Sequence, residues 1–382
     1  MLIPSKGFPH AASSEEPEIS GVIFGLDKRR IKGEYKGWPF MLFDDHPSLK
    51  LVGIARLAAS SELLEAKRRV EYFELETRRF IGRGSGRMRS IFTVNPYRGC
   101  EFGCKYCYAR YAHEFMELHD PELFERKIYA KRFHAPWFRD ELRRLNPGET
   151  IWIGTATDPY QPAERRFRIT RRMLEVFAGH RGFDLGITTK SDLIARDAEL
   201  LAMIARKNAV SVHVTITTLD EALARLLEPR APRPALRVAA VRKLSEAGVR
   251  VGVLAHPMMP LINDSEKSIE AVCAAAVASG ASSFSANPLF LKPCAQQVFF
   301  PFLEQHFQHL LRRYQERFQA NAYLEGHYPE VIRERVQKAL SRHKLPPQEP
   351  VEWPLDDQLQ LFPPPPAHAL SPGTLHRKVD RV

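Results

Sequence analysis

Six short apolar runs recur through the middle of this chain, and most are followed by a longer stretch with the spacing of an amphipathic helix. The runs predict strands over residues 90–95, 150–157, 183–189, 210–217, 249–256 and 282–287. Helices are predicted over residues 165–178, 195–207, 234–247 and 266–279. Strands joined by helical crossovers run parallel, so the series predicts an α/β fold with a parallel sheet. Periodicity alone allows a barrel or a doubly wound open sheet, and in both the functional groups collect at the carboxyl ends of the strands.

The sequence on either side of these units has a different character. Residues 1–20 are polar and predict a loose arm, while residues 60–79 carry a charged helical pattern. A Gly/Arg run follows at residues 82–87, which predicts a solvated linker, with capping of the cysteine loop or contact with phosphate as the alternatives. Beyond the sixth strand, amphipathic helices are predicted over residues 302–318 and 329–342. The predicted divisions are an N-terminal extension (1–88), an α/β core (89–295), a C-terminal helical segment (296–345) and a disordered Pro-rich tail (346–382).

Three cysteines lie close together in the run Asn95-Pro-Tyr-Arg-Gly-Cys-Glu-Phe-Gly-Cys-Lys-Tyr-Cys-Tyr108. An iron–sulfur cubane is normally held by four thiolates. Cys100, Cys104 and Cys107 would therefore leave one iron without a protein ligand and open to a bound molecule. Gly99 and Gly103 give the backbone the freedom that such a loop requires. The spacing predicts a cluster site suited to chemistry.

Two other uses of these cysteines are weaker. A structural zinc site completed by His113 is one alternative, but zinc ligands usually come as two separated pairs. A disulfide is disfavoured because five cysteines are an odd number and no secretory signal precedes them.

No run of eighteen apolar residues occurs that could span a membrane, so we expect a cytoplasmic protein.

The cysteine spacing, the aromatic Tyr106 before the last cysteine and the flanking glycines resemble the signature of the radical S-adenosylmethionine (radical SAM) superfamily. The resemblance implies that Cys100, Cys104 and Cys107 hold a [4Fe-4S] cluster whose open iron binds the amine and carboxylate of S-adenosylmethionine. Reduction of such a cluster cleaves the cofactor to a 5′-deoxyadenosyl radical, which makes a low-potential electron donor a required partner. Tyr106 is then expected beside the purine of the cofactor. The implied fold is a partial (β/α)6 TIM-like barrel.

Polar residues stand where the second and fourth predicted strands end. Thr157 and Asp158 are the leading candidates to accept hydrogen bonds from the ammonium of the cofactor. A Thr-Asp-Pro sequence also starts turns and caps helices, which is the alternative. In relatives, polar residues at the end of the fourth strand bind the ribose or carboxylate, which makes Thr215 or Thr217 a candidate. Threonine is also simply common in strands.

Three further candidates follow later in the chain. Arg230, on a turn stiffened by two prolines, could grip a carboxylate or phosphate, or could be an exposed arginine with no ligand. His256 could reach a substrate, although a histidine at a strand end is more often structural. Asn287 closes the sixth strand, where relatives receive the adenine through backbone contacts.

The cysteine run, together with Thr-Asp-Pro-Tyr-Gln-Pro, Leu-Glu-Pro-Arg-Ala-Pro and Pro-x2-Pro-x2-Asn-Asp, resembles the spore photoproduct lyase-like or "DNA repair photolyase" group over about residues 88–295. Tyr106 and Tyr108 bracket the last cysteine as a tyrosine pair does in the lyases, where such residues help to pass the radical. Buried packing is the alternative for Tyr108. The lyases carry a hydrogen-donating cysteine where this chain has Thr155, which puts repair of spore photoproduct in doubt. Cys294 is the only spare thiol expected near the barrel mouth, and we predict that it does not act.

Charge and the tail suggest the partners. Lys and Arg number 56 against 45 Asp and Glu, and the net charge of +11 favours a polyanion such as DNA. In the tail, Gln358-Leu-Gln-Leu-Phe362 resembles the peptide by which bacterial replication and repair proteins dock on the sliding clamp. Gln358 would orient the peptide while Leu359, Leu361 and Phe362 fill apolar pockets. The alternative is a patch that pins the tail to its own domain.

Together these features predict a cytoplasmic radical SAM enzyme, lyase-like and acting on DNA. Two alternatives stay open at this point. One is a radical SAM enzyme that modifies RNA or protein, and the other is a noncatalytic iron–sulfur adaptor recruited to the replication clamp.

Overall fold

The computed structural model describes residues 51–67, 69–84 and 89–346. The predicted arm over residues 1–20 and part of the Gly/Arg run lie outside the described residues. So does the tail with Gln358, Leu359, Leu361 and Phe362. The predictions made for the residues outside the description stay predictions, whereas Gly82 and Arg83 of the Gly/Arg run lie in a strand (Ile81–Arg83) and not in the predicted linker.

Strands and helices alternate along most of the described chain. The strands are β1 (Glu62–Lys67), β2 (Val70–Leu75), β3 (Ile81–Arg83), β4 (Phe92–Val94), β5 (Tyr97–Arg98), β6 (Lys127–Lys131), β7 (Thr150–Ile153), β8 (Asp184–Thr189), β9 (Ala209–Thr215), β10 (Arg250–Met258) and β11 (Ser283–Pro288). The helices are α1 (Gly53–Ala59), α2 (Tyr111–Glu114), α3 (Leu123–Arg126), α4 (Ala135–Arg143), α5 (Ala163–Phe167), α6 (Ile169–Phe177), α7 (Ala198–Ala205), α8 (Glu221–Leu227), α9 (Pro234–Glu246), α10 (Glu266–Ala278), α11 (Pro293–His306), α12 (Gln308–Phe318) and α13 (Tyr328–Arg342).

The larger sheet has the strand order β11-β10-β9-β8-β7-β4-β3. Its six strands from β4 to β11 run parallel and lie side by side in chain order, and β3 pairs antiparallel with β4 at one edge. A doubly wound sheet reverses its strand order near the middle, and this sheet does not. The predicted α/β fold with a partial (β/α)6 barrel is confirmed.

Residues alternate in burial along the barrel strands, as strands packed under helices require. Ile151 and Ile153 of β7 are buried in the core with α4 and α6, whereas Trp152 between them points to the opposite face and is partly exposed. The Trp152 ring stacks on His213 of β9, with the ring centroids 5.1 Å apart. Because the six strands run parallel, their carboxyl ends lie together at one rim of the barrel.

The prediction of a helix over residues 60–79 is wrong. This segment forms β1 and β2, which join β6 and β5 in a second sheet of order β1-β2-β6-β5. Val70, Tyr72 and Leu75 of β2 are buried while Glu71 between the first two is only partly so. Beta-branched and aromatic residues at a spacing of two favour a strand over the charged helical pattern.

Two predicted helices are each divided in two. The segment 165–178 breaks at Arg168, whose φ is 52°, because the Glu164 carboxylate accepts hydrogen bonds from the amides of Thr170 (2.9 Å) and Arg171 (3.1 Å) and starts a new helix there. The segment 302–318 breaks at Phe307, between α11 and α12.

The C-terminal helices close one side of the barrel. Ion pairs join α13 to α10, with 2.6 Å between Lys338 Nζ and Glu266 Oε1. Phe299 of α11 and Leu310 of α12 are buried in one apolar cluster with Phe102 of the cysteine loop. No helix in the described ranges is both long enough and apolar enough to cross a membrane.

Candidate active site

The cysteine loop is fastened to the end of β7 by buried hydrogen bonds. The Gly99 carbonyl accepts from Thr157 Oγ1 (2.6 Å) and Gln161 Nε2 (3.0 Å). The Glu101 amide donates to Gln161 Oε1 (3.0 Å), and the Glu101 carboxylate accepts from the Ala163 amide (2.7 Å). Thr157 therefore holds the loop, and a contact with the cofactor stays a prediction.

The same loop is tied to the second sheet. The Tyr72 hydroxyl of β2 donates to Glu101 Oε2 at 2.8 Å. Glu101 is only 6% exposed, so its carboxylate bridges β2 and α5 within the protein interior. A buried carboxylate needs such donors in place of water.

Arg230 lies on the outer side of the loop. Its amide donates to the Phe102 carbonyl (3.2 Å), and its guanidinium pairs with Glu125 (3.3 Å) and packs against Gly103. Arg230 does not line the pocket that the cysteines share. These contacts hold the loop, and the predicted contact of Arg230 with a carboxylate or phosphate stays a prediction.

One pocket joins the three cysteines to the carboxyl ends of neighbouring strands. Its walls are Cys100, Phe102, Cys104, Cys107, Tyr108, Ala109, Phe124, Gly154, Thr155, Thr157, Asp158, Thr188, Thr189, Lys190 and Thr215. The cysteine loop thus faces the ends of β7, β8 and β9. Of the two candidate threonines at the end of the fourth predicted strand, Thr215 is in this wall and Thr217 is not.

The thiols lie where a negative charge is costly. Burial raises the pKa of Cys104 to about 12, and burial, then Asp158, raises the pKa of Cys100 well above its usual value. Burial also raises the pKa of Cys107. Buried thiols become thiolates when a bound metal compensates the charge. Three such thiols in one pocket are a donor set that fits an iron–sulfur cluster.

The zinc alternative requires His113 to join the cysteines on one metal ion. Within the residues that the structure describes, no three His, Cys, Asp or Glu side chains converge as ligands of a single metal ion. His113 Nε2 lies 3.0 Å from the Lys127 carbonyl, and its ring packs on Phe124. A cubane separates its thiolates over different corners, so it does not require that convergence.

Asp158 fixes the end of β8. Its Oδ1 accepts hydrogen bonds from Thr189 Oγ1 (2.6 Å) and the Tyr160 amide (2.9 Å), and Oδ2 accepts from the Lys190 amide (2.7 Å). Burial raises the pKa of this carboxyl group while these donors oppose the rise. Of these hydrogen bonds, Oδ2 accepts only one, which leaves it room for another donor. The predicted hydrogen bond from the cofactor ammonium to Asp158 stays a prediction.

Lys190 places a cation in the pocket wall. Burial alone would lower the pKa of its ammonium, but the charges of Cys104 and Glu228 outweigh burial and raise it. Its Nζ lies 5.6 Å from the centre of the Tyr106 ring. In the described ranges, no carboxylate forms an ion pair with this ammonium, which leaves it free to meet an anionic group in the pocket.

Tyr106 and Thr217 belong to a buried network behind the pocket. Glu228 and Arg237 form an ion pair at 2.5 Å, and each side chain is 1% exposed. The Glu228 carboxylate accepts hydrogen bonds from the Tyr106 hydroxyl and from Thr217 Oγ1, the latter at 2.6 Å. Burial works to raise the pKa of Glu228, but Arg237 and Lys190 lower it overall. The Tyr106 hydroxyl is directed to Glu228, and Tyr106 does not line the pocket. Its predicted contact with the purine stays a prediction.

Tyr108 stands at the rim of the pocket. Its hydroxyl donates to the Thr155 carbonyl at 2.5 Å, and burial of that hydroxyl raises its pKa although the residue as a whole is 40% exposed. Cys294 lies on its other side, with Sγ 4.0 Å from the Tyr108 carbonyl. Asn287 is exposed and does not line the pocket. His256 is partly buried against Ser285, and burial lowers its pKa to about 4.

Aromatic rings continue outward from Tyr108. Tyr108 contacts Tyr111 (centroids 6.4 Å apart) and Phe290 (5.9 Å), Tyr111 contacts Phe115, and Phe290 stacks on Tyr323 at 4.4 Å. Phe115 is 60% exposed and Tyr323 is 44% exposed. We call these five rings the aromatic ridge. Lys292 adds a cation 3.9 Å from the centre of the Tyr111 ring.

Sequence reasoning missed Lys190, Glu101, Gln161 and Glu228 as members of the site. Lys190 directly follows the third predicted strand, where the strand-end rule would have found it. Gln161 and Glu228 both stand inside motifs already singled out. Glu101 stands inside the cysteine run, but the sequence alone does not indicate its role, because that role depends on β2 and α5.

Comparisons with known proteins agree with this geometry. Residues 94–272 match the family model described as the Radical SAM superfamily. The chain is 33% identical over 255 residues to an uncharacterized protein of Mycobacterium tuberculosis, an alignment that covers 66% of this chain and 75% of that protein. An uncharacterized protein of Methanocaldococcus jannaschii is 28% identical over 175 residues, which cover 46% of this chain and 63% of that protein.

A solved structure shares the fold. Spore photoproduct lyase complexed with dinucleoside spore photoproduct superposes with a TM-score of 0.53, covering 71% of this chain and 79% of the lyase. The two sequences are 12% identical, so the likeness is one of fold alone.

Proposed function

Because the chain belongs to the radical SAM superfamily, we propose that it is an enzyme that binds a [4Fe-4S] cluster and S-adenosylmethionine and carries out lyase-like radical chemistry on DNA. The observation that carries the proposal is the pocket itself. Cys100, Cys104 and Cys107 share it with polar groups from the ends of three parallel strands. Sites in barrels of this kind are built at those strand ends.

The residues of the pocket have separate tasks. When bound, the cluster and S-adenosylmethionine would supply radical chemistry, driven by one electron from a low-potential donor. The three cysteines hold the cluster. Lys190, Asp158 and Thr215 would hold the cofactor: the Lys190 ammonium would pair with its carboxylate, Asp158 would accept from its ammonium, and Thr215 would bond to its ribose or carboxylate.

Tyr108 is the proposed contact with the substrate radical. It lines the pocket, and its hydroxyl reaches the backbone of Thr155, the position at which the resembling lyases carry a hydrogen-donating cysteine. Threonine is a poor hydrogen-atom donor compared with a thiol. We therefore assign hydrogen-atom transfer to Tyr108 and none to Thr155: the phenolic O–H bond breaks as a C–H bond forms on the substrate radical, and the resulting tyrosyl radical returns to the phenol by taking one electron from the low-potential donor and one proton.

Three features support DNA as the substrate. The chain carries a net charge of +11, which favours a polyanion. The aromatic ridge at the pocket rim offers flat faces on which bases can stack. The lyase with the similar fold binds a dinucleoside photoproduct.

Anaerobic reconstitution tests the proposal. The full-length chain is loaded with iron and sulfide, reduced with dithionite and given S-adenosylmethionine, and 5′-deoxyadenosine is measured by chromatography. We expect the Cys104→Ala variant to form none. Cys273→Ala is the matched control, because Cys273 is buried in α10 outside the loop, and it should keep wild-type activity. Wild-type protein that binds zinc instead of iron, or never cleaves the cofactor, would refute the assignment.

The substrate is tested in the same reaction. We expect duplex or single-stranded DNA carrying ultraviolet lesions to increase cofactor consumption and to yield an altered nucleotide detectable by mass spectrometry. If RNA or a protein extract stimulates the reaction and DNA does not, the chain is instead a radical SAM enzyme that modifies RNA or protein.

We also propose that the tail peptide binds the sliding clamp. Leu361 and Phe362 supply its apolar anchors. A clamp pull-down with the full-length chain should lose the clamp when both are changed to Ala. Equal recovery of wild type and variant would remove this partner without affecting the chemistry.

A further inference from the structure

A second cavity lies beside the cysteine pocket. Asn95 and Ala156 are in its wall, and Asn95 Nδ2 is 3.1 Å from Oγ1 of Thr155, which lines the first pocket. The Ala156 amide donates to Asn95 Oδ1 at 2.8 Å. The two cavities are thus separated by a single layer of residues, which we call the shared wall.

Cations and aromatic rings make up much of the remaining lining of this second cavity. Arg79, Arg83, Arg98 and Lys131 supply the charges. The rings are those of Phe92, Tyr97, Tyr111, Phe115 and Phe80, so the cavity meets the aromatic ridge at Tyr111 and Phe115. Among the residues described in its wall, there is no Asp or Glu.

The two inner cations lack countercharges. Arg98 Nε is buried and has no hydrogen-bond partner, and Nη1 makes only a long contact of 3.4 Å with the Ala112 carbonyl. The Lys131 ammonium has no hydrogen bond or ion pair with any described residue. Neither side chain has a described carboxylate within 4.0 Å.

Lys131 is affected by this lack of a partner. Burial lowers its pKa to about 7, and the charge of Arg98 lowers it as well, while Glu141 opposes the change. The Glu141 carboxylate is already held by the amides of Phe80 (3.0 Å) and Ile81 (2.8 Å). Two partly buried cations side by side without a carboxylate partner are costly, and a bound anion would offset that cost.

We propose that this second cavity binds a backbone phosphate of the DNA strand whose target nucleotide enters the cysteine pocket. The inference rests on the proposed function and names how its substrate is held. Arg98 and Lys131 contact the phosphate oxygens, and Arg79 and Arg83 at the edge receive the neighbouring linkage. Bases on either side stack on Tyr111 and Phe115. The shared wall is thin enough for adjacent nucleotides of one strand to occupy both cavities.

The choice of DNA over a small anion follows from the lining. A free phosphate would satisfy the two inner cations, but it would make no use of the exposed Phe115 ring or of Arg83, whose guanidinium lies 4.7 Å from the Phe92 ring centre. Cations interleaved with aromatic rings at the edge of a groove are the arrangement that holds a single strand.

Binding measurements on the reconstituted full-length protein without reductant test the assignment. Lys131→Met and Arg98→Met remove one charge each, and Lys243→Met is the matched control because Lys243 is exposed on α9. Fluorescence anisotropy with a labelled single-stranded oligonucleotide gives affinity over a range of salt concentrations, and thermal unfolding with and without inorganic phosphate gives a second readout.

The two variants should bind DNA more weakly than wild type without becoming less stable to heat. We expect Lys131→Met and Arg98→Met each to weaken DNA binding about tenfold. Each should also reduce the magnitude of the salt slope by about 0.7, the value for one lost single-strand phosphate contact. The same variants should unfold at an equal or higher temperature than wild type in the absence of phosphate, and phosphate should stabilise wild type more. Lys243→Met should behave as wild type in all respects.

The outcomes separate this inference from the function it rests on. If wild type binds DNA and Lys131→Met binds it as tightly as Lys243→Met does, the phosphate site is wrong and the DNA substrate stands. If wild type binds no DNA, both are wrong. A variant that loses DNA affinity and unfolds at a lower temperature has lost structure, and the assignment then falls unless the other variant shows the expected pattern.

Discussion

Gly99 is the position where a single methyl group should do most damage to the candidate site. Its φ is 82°, a left-handed conformation, and a Cβ there would lie 2.7 Å from the Lys127 carbonyl oxygen and 2.8 Å from that of Phe124. Both neighbours are backbone atoms, and the Phe124 carbonyl also receives the Cys100 amide at 2.9 Å. The neighbours cannot yield as a flexible side chain would.

The cost of Gly99→Ala follows from two effects. Alanine in a left-handed conformation costs about 1–2 kcal/mol, and overpacking against fixed atoms adds about 1–3 kcal/mol. Gly248→Ala is the matched control, because φ is 76° and nothing lies within 4 Å of the added methyl. It should incur only the conformational cost, so we expect Gly99→Ala to lower the free energy of unfolding by about 1–3 kcal/mol more than the control.

Iron binding by the proposed cluster site should respond as well. The Gly99 carbonyl is the acceptor for Thr157 and Gln161, so displacing it detaches the loop from the end of β7. We expect Gly99→Ala to retain less than half of the wild-type iron per chain after reconstitution, and Gly248→Ala to retain all of it. Urea unfolding of the cluster-free protein and an iron assay measure the two effects. Equal values for the two variants in both assays would show that the close approach at Gly99 has no energetic weight.

Three further predictions concern charged groups. Lys190→Met should keep its iron but bind S-adenosylmethionine at least tenfold more weakly, measured by equilibrium dialysis, and unchanged affinity would remove Lys190 from the cofactor site. Glu228→Gln should destabilise the protein by about 3–5 kcal/mol because it leaves Arg237 buried without a countercharge. The double variant with Arg237→Met should be less affected, and additive costs in urea unfolding would contradict this. The pKa of Lys131 is about 7 in the folded protein against 10.5 ordinarily, so the unfolded chain binds more protons between these values and stability from this group should rise with pH across that window. DNA affinity should fall over the same range as Lys131 loses its charge, and Lys131→Met should show neither change.

The sequence was informative about strands and less so about helix ends. Short apolar runs alternating with longer helical patterns predicted all six parallel strands, because strands buried beneath helices need apolar residues whatever the detailed packing. The break at Arg168 was not foreseeable in this way, because the Glu164 carboxylate causes it through bonds to residues beyond the break. The segment 60–79 was misread because its charges mask a spacing of two.

For the site, the chemistry was easier to predict than the direction of each side chain. The cysteine spacing and the strand-end rule brought Thr157, Asp158 and Thr215 to one pocket. Thr217 lies beyond the last residue of β9, so strand alternation does not govern it, and its hydroxyl turns to Glu228. The direction of Tyr106 is likewise set by its hydrogen bond to Glu228, whose ion pair with Arg237 no local sequence pattern predicts.

The carboxylate of Glu101 ties the small sheet, the barrel and the cysteine loop to one another through Tyr72 and Ala163. Folding of β1 and β2 and readiness of the loop for metal are therefore thermodynamically coupled, since neither partner of that carboxylate can leave without exposing it. Proteolytic nicking between β1 and β2 should release iron from a barrel that is otherwise intact. Retention of the metal in such nicked protein would show that the small sheet does not contribute to metal binding by the loop.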